Sequence, residues 1–491
     1  MVFCSTPRYA SGVLKPPFRK KILCRWLVLI GLGVLSGCAI HRVDEEAQLL
    51  QVEIPDSFSE ARSEDSLPNV WRQSWWATFE DIDLDGLIEA GLSGNFGLQQ
   101  YMARIEQATA VARISTAELY PNLGYTAGYA AEWDGKTVAP STGDRKDSTD
   151  LGVRLFWELD LWQRLSSLRR AEMLETEATI EDWLGARLLL SSAIAETYFN
   201  IKEQRRQLEV IREQIEINVR LLKLITLRFG QGQASIVDVL QQREQLEATQ
   251  TRIPETESSI GQLEYTLALL LGLTSDAAEH ITSTDLERPP ELPAVGIPAH
   301  LITARPDLRS AQKRVLALDY DVGAAVADQF PSLVLGGSID WRGDPNFGDE
   351  VYSVFAGLAG PLFNAGERRN EVFFRKARLE EALAGYSELY LAALLEVEGA
   401  LLEERKNEES LVLVEKQLAT AQRLLREAKN RFSQGLTDYL PVFTSLAIVQ
   451  RLEREVVRAR LDVLSSRVAL HRALGGPMPN PDIPIYLSLT E

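Results

Sequence analysis

The chain has 491 residues, 45% of them hydrophobic and 25% charged, with a formal net charge of −18. That composition is globular rather than disordered, and its acidity argues against a nucleic-acid binder, which needs clustered Lys and Arg. Cys4, Cys24 and Cys38 all lie near the start, and His41, His280, His300 and His471 are scattered, so neither a disulfide framework nor a metal-ligand spacing is expected.

The first element is a leader. Arg19, Lys20, Lys21 and Arg25 flank an uncharged run from Trp26 to Leu35. The run is too short to span a bilayer but fits the apolar core of an export signal. It ends in Leu35-Ser36-Gly37-Cys38, which resembles the bacterial lipobox, in which the Cys is acylated and the leader removed. A diacylglycerol and acyl lipid on Cys38 is expected, and no other cofactor. Ala39, not Asp, follows, which in the lipoprotein sorting pattern implies the outer membrane.

The rest contains two copies of one unit. Arg228-Phe229-Gly-Gln231-Gly232 returns as Arg431-Phe432-Ser-Gln434-Gly435, 203 positions later, and the offset holds to Leu271-Gly272 and Leu474-Gly475. Upstream, Leu98, Arg104, Tyr120-Pro121 and Leu123 answer to Leu308, Arg314, Phe330-Pro331 and Leu333, 210 positions later. The first copy therefore carries a longer loop, placed at the polar stretch Lys136–Asp147. The expected organisation is a leader at 1–37, an anchored tether at 38–80, repeats at 81–274 and 301–476, a linker at 275–300 and a tail at 477–491.

Each repeat reads helix, two strands, long helix, turn, long helix. In the strands, Leu123, Tyr125, Ala127, Tyr129, Ala131 and Trp133 alternate with a more polar set, as do Leu151, Val153, Leu155, Trp157 and Leu159. The second copy places Leu333, Leu335, Ile339, Trp341, Val354, Ala356, Leu358 and Leu362 outward. Runs of about ten residues suit tilted strands crossing a bilayer, with Trp133, Trp341 and Trp157 as girdle positions. Alternation alone leaves open two hairpins packed on a soluble core. If the strands lie in lipid, several chains must share one barrel, because open edges are not tolerated there. The inward charges are then Glu132, Asp150, Glu158, Asp160 and Asp340 against Arg154, a lining that favours cations.

No proline interrupts Gln163–Phe229 or Gly366–Phe432. Each stretch would be a helix of roughly 100 Å. Leu208, Ile211, Ile215, Asn218, Leu222, Ile225 and Phe229 step by three and four, as do Leu411, Val414, Leu418, Ala421, Leu425, Ala428 and Phe432, which is coiled-coil spacing. Pro254 interrupts the first return helix where the second has Val457 at the equivalent position, so a local kink is expected there.

These residues resemble the TolC-like outer membrane efflux family, most closely its lipoprotein branch serving resistance-nodulation-division (RND) pumps. Trp75-Trp76-Ala-Thr-Phe79-Glu-Asp81, Leu84-Asp-Gly-Leu87-Ile88, Trp157–Trp162, Gly360-Pro361-Leu362-Phe363 and Thr437-Asp438-Tyr439-Leu440 carry the likeness, which runs from about Pro55 to Gly476. The resemblance implies a fold that is mostly α with a membrane β-barrel. Three chains would each give four strands to one twelve-stranded barrel. Partners would be a periplasmic adaptor and an inner-membrane RND pump. Tip residues for adaptor docking are Arg228, Gly232, Asp238, Arg431, Gly435, Asp438 and Tyr439. Where the family often has Asp-Ala, this chain has Thr444-Ser445. Asp238 and Asp438 admit two readings, an acidic ring at the entrance or turn residues capping helices.

The expected function is a passive exit channel for small molecules. A protein-secretion duct is the alternative within that class, and a pore-less coiled-coil lipoprotein scaffold the alternative outside it. No Gly-x-Ser-x-Gly, Walker loop, His-Glu-x-x-His or Cys-x-x-Cys occurs, so no enzyme is expected. Met102, Met173 and Met478 form no soft-ligand cluster that would point to metal export.

Overall fold

The computed structural model describes residues 41–44, 50–60, 74–133, 145–274, 281, 283–286, 292, 295–343 and 349–477. Cys38 and most of the polar stretch 136–147 lie outside them, as do the side chains of Glu132, Trp133, Arg145, Lys146 and Asp349. In chain order, a 3₁₀ turn at Trp75–Phe79 is followed by α1 (Ile82–Gly94), α2 (Phe96–Ala117), β1 (Asn122–Trp133), β2 (Arg145–Leu159), α3 (Arg164–Gly230), α4 (Ile236–Gln250) and α5 (Arg252–Leu271). After a turn at Leu301–Ala304 come α6 (Pro306–Ala327), β3 (Ser332–Gly343), β4 (Asp349–Ala359), α7 (Glu367–Ser433) and α8 (Leu440–Ala473).

The duplication holds element by element. Helices α2 and α6 have 22 residues each, β1 and β3 have 12 each, and α3 and α7 have 67 each. Pro254 breaks the first return helix as its chemistry requires. It lacks an N–H and crowds the carbonyl four residues back, at Gln250. The interruption accordingly falls at Thr251, between α4 and α5, whereas α8 runs unbroken. Among the described residues, no helix is long and apolar enough to cross a membrane.

The chain divides into two compact units. One includes Ile114–Ala171 and Asp319–Ala377 and holds the sheet. Its four strands run β1-β2-β3-β4, each antiparallel to its neighbour. The central pairing, β2 with β3, sets Leu151 opposite Trp341 and Leu155 opposite Gly337, joining the hairpins of the two repeats. Strands β1 and β4 are open edges. Trp157 donates its indole N–H to the Leu119 carbonyl at 2.9 Å, and Trp162 donates to that of Pro331 at 2.8 Å.

The other unit, Glu45–Arg113, Glu172–Leu318 and Arg378–Glu491, is helical. Two of its cores are repeat-related. Trp75, Leu84, Ile88, Ile194, Tyr198 and Leu267 belong to the first, and Leu308, Tyr390, Val397 and Leu470 to the second. Ile194 and Val397 occupy equivalent places, as do Leu267 and Leu470. The motif Trp75-Trp76 is thus core packing, its rings edge to face at 5.8 Å. Asp81 caps α1 by accepting from the amides of Asp83 and Leu84, and also takes the Tyr198 hydroxyl at 2.7 Å and the Lys202 ammonium at 3.2 Å. Between α7 and α8, Glu404 and Arg467 form an ion pair that is almost wholly buried. Burial pushes the Glu404 carboxyl above its ordinary range, and Arg467 opposes that.

Candidate functional site

The register sorts the strand residues into two faces. Even positions of β1, β2 and β3 share one side with odd positions of β4, since Gly128 pairs with Asp150, Arg154 with Ser338 and Ser338 with Ser353. The opposite face carries Leu123, Tyr125, Tyr129, Leu155, Val354 and Leu358. Tyr125 is 81% and Val354 92% exposed, an apolar surface of the kind that faces lipid in membrane barrels. Among the described side chains this matches the outward set read from alternation except at Leu362. Strand β4 ends at Ala359, and Pro361, which has no N–H to give a ladder, follows.

The polar face is more balanced than its acids suggest. The Asp150 Cα lies opposite that of Arg342. Arg154 reaches Asp340 at 4.0 Å, and the Ser338 hydroxyl donates to Asp340 at 2.7 Å. Val351 and Phe355 of β4 share this face, as does Phe156. Arg342 was readable from alternation but sits at a strand end, where the pattern fades. Two expected lining acids have other work. Glu158 holds Arg164 through both carboxylate oxygens at 2.9 and 3.0 Å. Asp160 lies beyond β2 and caps α3, accepting from the amides of Leu165 at 3.0 Å and Ser166 at 2.7 Å.

The two helical tips repeat one geometry. At the first, the Gly232 amide donates to the Phe229 carbonyl at 2.9 Å and Gln233 to Arg228 at 2.9 Å. At the second, Gly435 donates to Phe432 at 3.1 Å and Leu436 to Arg431 at 3.0 Å. Both glycines have φ of +71°. This is the left-handed helix ending that Gly favours. Asp238 completes a capping box, accepting the Ser235 amide at 2.9 Å while Ser235 accepts from Val237 at 3.1 Å. The Thr444 and Ser445 hydroxyls donate to Leu440 and Pro441 carbonyls of their own helix.

Tyr439 is buried, not presented at the surface. Its hydroxyl donates to Gln242 at 2.5 Å, and burial, with Asp238 nearby, pushes that hydroxyl well above its ordinary range. Beside it the Arg228 guanidinium lies 4.3 Å over the Phe432 ring. Below runs a buried polar ladder between α3, α4 and α8. Gln242 and Gln450 both donate to the Asn218 carbonyl oxygen of the side chain, at 3.3 and 3.2 Å. Asn218 donates to Thr249 at 3.2 Å, and Gln214 donates to the Gln450 backbone at 2.9 Å. Asn218 inside an apolar seam was the one sequence signal of this ladder. A buried amide at such a position fixes helix register at some expense in stability.

Among the described residues, no cluster of three or more His, Cys, Asp or Glu could hold a metal. Long paired helices with two matching tips, and a four-stranded sheet left open at both edges, define a class of duct whose strands close a barrel only with other chains. The comparisons specify that class. A family model described as outer membrane efflux protein matches residues 87–273 and 297–476. The chain belongs to that family. The pyoverdine export outer membrane protein OpmQ of Pseudomonas aeruginosa is 29% identical over 82% of this chain and 87% of its own. The cation efflux system protein CusC of Escherichia coli O6:H1 is 25% identical over 92% of this chain and 98% of its own. The solved structure of the outer-membrane channel OprN superimposes with a TM-score of 0.81 at 24% identity, covering 90% of this chain and 99% of that one. The fold class is therefore the expected one, long helices with four antiparallel strands per chain.

Proposed function

We propose that this protein is the outer-membrane exit duct of a tripartite efflux system. Three copies form one conduit. An inner-membrane RND pump drives the cargo, a periplasmic adaptor receives the helical tips, and passage through the duct is passive. The observation that carries this reading is the family match over both repeats, with tips that present the same turn twice per chain. The cargo is a small molecule. OpmQ is named for pyoverdine and CusC for cations, so the fold serves chemically different cargoes, and the pump would select among them.

The mature chain begins at Cys38, which carries lipid, and residues 38–80 tether the repeats to the outer membrane. Residues 275–300 link the repeats, and 477–491 form the tail. The tips at Gly232 and Gly435, with Asp438 beside the second, form the adaptor-docking surface. Crosslinking in cells from the turns at 231–235 and 434–438 tests this. Capture of a periplasmic adaptor together with loss of efflux on gene deletion is expected. Unchanged efflux on deletion would refute it. Mass spectrometry of the mature N-terminus tests the anchor, and an unmodified Cys38 thiol would refute that part.

A further inference from the structure

We propose that each chain carries, on the polar face of its sheet, a contact site for planar aromatic acids formed by Phe156, Phe355 and Arg154. The proposal rests on the duct reading above, in which that face lines the conduit. It starts from an anomaly in the register. One row across the sheet runs Asn122, Phe156, Gly336, Phe355, from β1 to β4. Both phenylalanines lie on the face turned away from lipid, and they are 53% and 50% exposed. Strands lie about 4.8 Å apart, so the two Cα atoms stand about 10 Å from each other. Gly336 is what joins the rings. A Cβ there would collide with the tip of the Phe355 ring, which lies across the glycine toward Phe156. The two rings thus make one apolar strip across β2, β3 and β4.

The repeat does not require this strip. At the 203-residue offset Phe156 answers to Ala359 and Phe355 to Gly152, so neither ring is shared by the two copies. Covering Gly336 employs only the tip of one ring. The next row, Gly124, Arg154, Ser338 and Ser353, supplies the polar end of the site. Ser338 donates to Asp340 at 2.7 Å and Ser353 meets Ser338 at 2.8 Å, so both hydroxyls are engaged. Arg154 is 63% exposed, and its 4.0 Å approach to Asp340 is beyond hydrogen-bonding distance. On the other side of the strip, Glu158 is held by Arg164. A cavity of about 590 Å³, lined by Tyr120, Asn122, Phe156, Glu158 and Arg164 among others, leaves room beside the rings. The chemistry these groups recognise is a flat ring bearing a carboxylate or sulfonate. The ring meets the phenyls in offset or edge-on contact, and the acid takes the planar guanidinium through two N–H groups.

Single-channel current through the purified protein in a planar bilayer tests this, with naphthoate as the probe. Adamantanecarboxylate is an acid of similar bulk without a flat ring, and naphthylmethylammonium is the same flat ring with the opposite charge. Naphthoate is expected to give the longest blockades of the three. One aromatic contact is worth about 2- to 10-fold in residence. A Phe156→Leu/Phe355→Leu variant, which keeps an apolar side chain over Gly336, should shorten naphthoate residence by at least that factor. Arg154→Gln should abolish the preference for naphthoate over the ammonium probe. Equal blockades by the two acids, longer ones from the ammonium probe, or unchanged residence in the Leu variant overturns the proposal. Should a variant fail to assemble, the comparison of the three probes on the unaltered protein decides. A trimer that passes current without these preferences sinks only this site, whereas one that passes no current sinks the duct reading. In that second case saturation-transfer NMR on the same trimer reads the site directly. Transfer to the naphthoate ring protons that weakens in the Leu variant supports it. Absent transfer, or equal transfer in both proteins, overturns it.

Discussion

Replacing Gly232 and Gly435 together by Val separates docking from assembly. Both glycines sit at φ +71°, and a Cβ built on either meets no atom within 4 Å. The penalty is therefore backbone strain, not a clash. A left-handed residue with a Cβ costs about 1–2 kcal/mol, so two turns give about 2–4 kcal/mol per chain. That strain falls on the hydrogen bonds from Gln233 to Arg228 and from Leu436 to Arg431, which set the shape of each turn. The buried seam below, with Ile225, Leu425, Leu446 and Leu452, is untouched. Trimer yield by native gel should stay normal, while adaptor crosslinking and tolerance to an effluxed compound should fall. A Gly232→Asn, Gly435→Asn variant should lose much less, because Asn tolerates this conformation. Full efflux and undiminished crosslinking in the Val variant would refute the reasoning.

Other outcomes follow from single groups. Burial, with Arg467 nearby, depresses His471 from its ordinary 6.5 to about 3, against the rings of Trp75 and Phe79. The folded state then refuses a proton that the unfolded state takes below pH 6.5. Stability should be complete above pH 6.5 and fall by about 1.4 kcal/mol per unit below it, about 2 kcal/mol at pH 5, and denaturant melts of His471→Gln should show a shallower slope. Glu404→Ala strands Arg467 in the interior, which should cost about 3–5 kcal/mol, whereas Arg467→Met with Glu404→Leu should recover most of it in the same melts. Because Arg342 and Arg154 offset Asp150 and Asp340, the pore should favour cations only weakly, and Arg154→Gln should increase that preference in reversal potentials under asymmetric KCl.

The repeat made most of this fold legible. Landmarks such as Arg-Phe-x-Gln-Gly fixed two helices of equal length, and period-two alternation fixed the strands and their faces. Local chemistry at the ends was less legible. Asp160 reads as the last inward strand residue, yet the amides at the start of α3 claim it. Leu362 continues the alternation in sequence but follows a proline that ends the ladder. Tyr439 reads as a tip residue for a partner, and only tertiary packing shows it bonded to Gln242, 197 positions away. Gln242 and Gln450 look like solvated helix positions, and nothing short of the three-helix contact reveals that they share Asn218.

The most direct test of the account is current through the purified protein in a planar lipid bilayer. A stable trimer is expected to insert and pass current in uniform steps, one per conduit, in either direction of voltage. A trimer that inserts but passes no current at any voltage would contradict a duct and favour a scaffold.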